Sequence, residues 1–223
     1  MTPAPDSPAR TWLLAGAFAG PVYVLIALGQ ILTREGFDVR IHAVSLLSNG
    51  SLGWVQITNF LVSGVLVVAG AIGARRVLRE GRGATWGPIL LACYGVGLIG
   101  AGIFVADPGR GFPPGSPEFK GMSSHGLGHF IAGGFGFYAL IAACFVFARR
   151  FAGLGRTGFA AYSVFTGVAF FAAFAGVASG STSVMVMLSF YAAVAWIWGW
   201  HLALSITLLR GRLSAAPVRG TAS

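Results

Sequence analysis

The chain has 223 residues, 56% of them hydrophobic and only 9% charged, with a mean hydropathy of +0.78. A soluble domain carries about 25% charged residues, so this deficit excludes a soluble globular fold and leaves no stretch for a separate soluble domain. The formal charge of +9 arises from 15 Lys and Arg against 6 Asp and Glu; the basic residues fall in loops between apolar runs, where they set topology and meet anionic headgroups, so membrane lipids are the expected partners and nucleic acid is not. No protein partner can be named from the sequence.

In chain order, residues 1–11 read as a tail that ends just after Arg10. Six apolar runs follow: Trp12–Leu32, Trp54–Ala74, Trp86–Ala106, His125–Ala148, Phe159–Ala178 and Val184–Leu209. Each approaches or exceeds the roughly 20 residues that cross a bilayer, and several carry Trp near an end, as interfacial anchoring favours. The expectation is an all-α, polytopic membrane protein with six transmembrane helices over residues 12–209 and a tail over 210–223. The first run is read as a retained helix and not a signal peptide, because it continues past AFAG to Leu32. Glycine, at 34 residues, fits helices packed closely. The GxxxG pairs Gly16/Gly20 and Gly176/Gly180 are read as contacts within the bundle.

The loops differ by side. With the N-terminus inside, one side holds Arg10, Arg75, Arg76, Arg79, Arg82, Arg149, Arg150, Arg156, Arg210, Arg212 and Arg219, and the other only Arg34, Arg40, Arg110 and Lys120. Both termini are therefore expected in the cytoplasm, and the protein in the cell membrane. The Ala-, Gly- and Arg-rich composition points to a bacterial source. The first outer loop, TREGFDVRIHAVSLLSNGSLG, is long enough for a short surface helix. The second, DPGRGFPPGSPEFKGMSS, is too rich in Pro and Gly for a regular one, and the third, around SGSTS, is a tight turn. Cys93 and Cys144 fall inside spans and read as small buried residues, without CxxC company.

Ionisable groups at the edge of membrane spans are functional candidates. Asp107 ends the third span just before Pro108, and His125 and His129 open the fourth, at i and i+4 on one helix face. The joining loop is short enough for all three to converge at the outer mouth. Gln56, Asn59 and Ser63 form a polar stripe on the second span; Gln30 ends the first on the same side, and His42, Ser45 and Ser48 can fold over the mouth. His201, near the end of the last span beside Trp196, Trp198 and Trp200, reads as an inner-interface residue. The Asp107, His125 and His129 group admits three readings: a hydrogen-bonded tie between helices, a Zn²⁺ shell with His42 or a serine completing it, or proton transfer and ligand contact. The residues between the histidines are Gly126, Leu127 and Gly128, so no HExxH glutamate supports the metal.

The stretches HAVSLLSNGSLGWVQITNF, GIFVADP and SSHGLGHFIAGG, set among six spans, resemble the bacterial membrane family catalogued as domain of unknown function 998. The resemblance covers nearly the whole chain. It implies an integral membrane protein with no assigned reaction, in which Ser45 or Ser48, Asp107, His125 and His129 match positions kept polar. A looser likeness is to membrane hydrolases of the alkaline ceramidase and progestin-adipoQ receptor type, which build a zinc site from Ser, Asp and HxxxH. Those have seven spans with HxxxH on the last; here it opens the fourth of six. Two functions stand at this stage. One is a structural or lipid- and ligand-binding membrane protein. The other is a zinc-dependent hydrolase acting on a lipid or amide at the outer leaflet, with Asp107, His125 and His129 as ligands and Ser45 beside them.

Overall fold

The computed structural model describes residues 6–116 and 121–211. Lys120 and residues 212–223, among them Arg212 and Arg219, lie outside the described residues. Six helices run α1 Ser7–Thr33, α2 Gly53–Val77, α3 Trp86–Ile103, α4 Ser124–Gly153, α5 Thr157–Ala178 and α6 Val184–Leu209, with a short 3₁₀ helix at Val44–Ser48. All six are long and apolar enough to cross a membrane. The helix α1 begins at Ser7, ahead of the expected Trp12, because the Asp6 carboxylate accepts the Ala9 N–H at 2.9 Å and Pro8 stands in the first turn. Large apolar side chains such as Leu25, Ile131, Phe165 and Trp86 are exposed. In water this would be a liability; in hydrocarbon it is the lipid-facing belt.

Each helix packs against its neighbours in sequence, and α6 returns to α1, so the six close into a ring. Glycine pairs set the first three seams. A Cβ on Gly16 would stand 2.6 Å from the Gly70 Cα, one on Gly64 2.6 Å from the Gly95 oxygen, and one on Gly97 2.6 Å from the Gly136 Cα. Gly20 faces the Trp198 side chain across the α1–α6 seam, so Gly16 and Gly20 contact two different helices within the bundle. Gly176 meets Val186 of α6, whereas Gly180, at φ +76°, makes the turn after α5.

The end of the ring away from the termini carries a compact cap. Phe112, fully buried, stands edge-on to Phe37 at 5.1 Å and beside the His42 ring at 5.5 Å. The Arg34 guanidinium lies 5.3 Å from the centre of the Phe112 ring and donates to the carbonyls of Leu47 at 3.1 Å and Asn49 at 2.6 Å. The Asn49 amide donates to the Ala106 carbonyl at 2.9 Å. The α1–α2 and α3–α4 loops are therefore one unit. At its rim the Arg40 guanidinium holds the Asp38 carboxyl down at about 2, so that pair persists through the ordinary carboxylate range and is lost as pH falls towards 2.

Lysine cannot reproduce the Arg34 fork. Arg34→Lys is expected to lower stability by about 1–2 kcal/mol, read as a fall in the thermal midpoint of the protein in detergent. An unchanged midpoint would show that the cap is held elsewhere.

Candidate functional site

The third helix ends at Ile103, so its last carbonyls have no partner within the helix. The fourth begins at Ser124 with unpaired N–H groups. The polar residues singled out in the sequence meet these two needs. The Asp107 carboxylate accepts the Ser123 N–H at 2.8 Å and the Ser123 hydroxyl, and the Ser123 Oγ accepts the Gly126 N–H at 3.0 Å. A negative carboxylate also suits the positive end of the α4 dipole. A Cβ on Gly126 would overlap that carboxylate, which is why the residue after His125 has no side chain. His129 Nδ1 lies 3.0 Å from the Ala101 carbonyl and 2.8 Å from that of Phe104. Both partners are acceptors, so Nδ1 carries a proton, and in the neutral ring Nε2 is the acceptor. The His125 ring stands 6.0 Å from Phe104, edge to face.

The i and i+4 histidines thus share the face turned to α3, as their spacing requires. They do not join Asp107 in a ligand shell. Among the described residues no group of three or more His, Cys, Asp and Glu side chains is placed to hold a metal ion. His42, the suggested fourth ligand, receives the Asp38 N–H on Nδ1 at 2.9 Å, so its Nε2 donates to the Arg110 carbonyl at 3.0 Å. Both nitrogens are spent on the cap. Ser48 donates to the Ser45 carbonyl at 2.6 Å.

The stripe on α2 ties helices together. Gln30 donates to Gln56 Oε1 at 2.8 Å, Asn59 to the Tyr23 carbonyl at 3.1 Å, and Ser63 to Asn59 Oδ1 at 3.3 Å. Gln30 Oε1 and Gln56 Nε2 have no partner among the described residues. His201 is buried on the face shared by Ile197, Leu204 and Leu208, with its ring edge-on to Trp198 at 5.7 Å and Nδ1 without a partner among the described residues. Cys144 is buried, Cys93 half-buried, and both thiols are free.

What the sequence did not single out is a cavity of about 380 Å³ within the ring. Its walls come from all six helices and its roof is Ala43, Val44 and Ser45. The lining is predominantly aromatic and aliphatic, with Tyr23, Phe60, Phe137 and Trp198 prominent, and contains no Asp, Glu, Lys or Arg among the described residues. The side chains with polar atoms in the lining are Tyr23, Ser45, Tyr94, His129, Tyr191 and Trp198. Tyr94 is 3% exposed, yet its hydroxyl has no hydrogen-bond partner among the described residues. The one sequence signal was depth: Tyr in a span usually sits at an interface, while Tyr94 lies at the middle of α3.

If Asp107 serves α4 as described, Asp107→Asn is expected to lower stability by about 1–2 kcal/mol. Gly126→Ala, which displaces the same carboxylate, is expected to act in the same direction. Thermal unfolding of both in detergent checks this; a stable Gly126→Ala protein would contradict the geometry.

No match was found among curated proteins or among solved structures. Residues 17–207, from the fourth turn of α1 to the last turn of α6, match the family model described as protein of unknown function (DUF998), and the chain belongs to that family.

Proposed function

We propose that this protein binds a neutral lipophilic molecule in its central cavity, in the cell membrane, with both termini on the cytoplasmic side. The orientation rests on the distribution of Lys and Arg. The ligand reading is carried by one observation: a cavity of about 380 Å³ whose described lining is predominantly apolar, carries no charged side chain and includes Tyr94, whose hydroxyl makes no hydrogen bond among the described residues. Ligand sites have this character, mostly apolar walls with a few placed polar groups, at volumes of about 300–1,000 Å³. Tyr94 supplies a donor, His129 Nε2 an acceptor and Ser45 a hydroxyl that does either. A charged ligand finds no counter-ion there, and burying an unpaired charge is expensive. Asp107, His125 and His42 serve the frame around the cavity.

Zinc-dependent hydrolysis has less behind it. The Asp107 oxygens and the His42 nitrogens are engaged by backbone and serine groups, and the residues as placed do not fit a zinc shell. No zinc is expected to track with the protein through purification without chelators. The ligand reading is tested by native mass spectrometry of protein released from mild detergent. A retained neutral lipid is the expected result, and bare chains that take up no added neutral lipid would sink it.

A further inference from the structure

The cavity is closed at both ends. At the roof, the Tyr191 hydroxyl of α6 donates to the His42 carbonyl at 2.8 Å, pinning the segment that carries Ala43, Val44 and Ser45. At the other end Trp198 fills the ring, 5.1 Å from Tyr23 and 5.5 Å from Tyr94 between ring centres. The side wall between α4 and α5 is different along its length. Near the termini the two helices pack closely: a Cβ on Gly167 would stand 3.2 Å from the Cys144 Cβ, and the Phe137 ring lies 5.0 Å from both Phe170 and Phe174. Towards the roof, α4 offers Gly134, Gly133 and the exposed Phe130, and the α5 side offers Val177, Ala178 and Gly180.

Gly133 and Gly134 have no packing reason to lack a side chain. A Cβ on either meets nothing within 4 Å, whereas one on Gly136 would stand 3.1 Å from the Gly97 Cα. Glycine within a helix costs about 0.5–1 kcal/mol relative to alanine. Both glycines line the cavity, so what they preserve is open space beside it.

We propose that Gly133 and Gly134 are the sill of a lateral opening between α4 and α5, through which a neutral single-chain lipid with a hydroxyl headgroup passes from the bilayer into the cavity. This rests on the ligand-binding reading above. The volume, at the low end for ligand sites, suits one chain and not two. The absence of charge in the described lining suits an alcohol and not a phosphate or carboxylate. The headgroup donates to Nε2 of the neutral His129 ring and accepts from the Tyr94 hydroxyl, and the chain lies against the aromatic wall, its far end reaching the bilayer through the gap.

The full chain in lipid nanodiscs tests this, with Cys93→Ala and Cys144→Ala as background and Gly134→Cys and Ala178→Cys across the gap. The probe is a fluorescent monoacylglycerol, and a reducible bis-maleimide closes the gap, the closure being verified by mass. Closure is expected to slow uptake about tenfold or more, to trap probe loaded beforehand, and to be reversed by reductant. Uptake unchanged by closure overturns the opening and leaves the binding reading intact. Failure of the open form and of the unmodified protein to take up probe overturns both. Equal uptake of a fluorescent phosphatidylglycerol overturns the ligand class. Should the cysteine pair misfold, Gly133→Trp in the natural background is expected to slow uptake in the same way, and normal uptake there counts against the opening.

Discussion

Gly97→Leu is expected to leave little folded protein. A Cβ at Gly97 would stand 2.6 Å from the Gly136 Cα and 2.8 Å from the Ala132 oxygen, both backbone atoms of α4. Neither can turn aside as a flexible side chain can, so α3 and α4 must separate. In a bilayer the lipid tails are as apolar as the helix faces, and close packing takes over the role that the hydrophobic effect has in water. Overpacking typically costs about 1–3 kcal/mol, with larger values when backbone must shift, and Gly97→Leu belongs at or above the top of that range. Separation would also carry away the Ala101 and Phe104 carbonyls that His129 joins. Gly133→Leu is the matched control, since that position is open. The yield of monodisperse protein and its thermal midpoint in detergent read the difference; equal behaviour of the two variants would contradict the packing described for α3 and α4.

Ligand retention is expected to respond to Val194→Trp and Tyr94→Phe in different ways. Val194 of α6 lines the cavity, and indole there occupies the space a ligand needs. Losing most of the buried apolar contact is expected to weaken retention about a hundredfold. Tyr94→Phe removes only a hydroxyl. Because that hydroxyl has no partner in the described protein, stability is expected to stay within about 0.5 kcal/mol of the natural chain. Affinity is expected to fall about fivefold, the value of one neutral hydrogen bond near 1 kcal/mol. Titration with a neutral lipid, paired with thermal unfolding, separates the two quantities. A Tyr94→Phe protein that loses stability but not affinity would mean that the hydroxyl belongs to the frame.

The six helices were legible because each apolar run is long and the breaks between them are sharp. The expected run Val184–Leu209 coincides with α6. The short helix expected in the first loop exists as a 3₁₀ helix at Val44–Ser48, but it is partly buried, because Leu47 and Ser48 pack inward beneath the loop. The polar residues were legible as exceptions, and their helix faces follow from spacing. Their partners were not. Whether Asp107 meets an imidazole or a serine depends on where α3 stops, and a helix that ends at Ile103 frees carbonyls that no count of histidines reveals. The burial of His201 was not legible for a similar reason: its neighbours in sequence include Trp196, exposed, and Trp198 and Trp200, buried, so proximity to tryptophans says nothing of the face. The cavity was invisible because it is space. Its walls join Tyr23, Tyr94 and Trp198, far apart in the chain, and in sequence the two glycines at its side, where a Cβ would meet nothing within 4 Å, look like the packing glycines elsewhere.

A density map of the protein in nanodiscs made with its native lipids tests the central claim most directly. The account predicts elongated density in the cavity between Tyr94 and His129, within hydrogen-bond distance of at least one of them and continuing between Gly134 and Ala178 towards the bilayer. A cavity holding only water, or one closed by the Phe137 and Phe190 side chains with Tyr94 paired to a protein group, would contradict it.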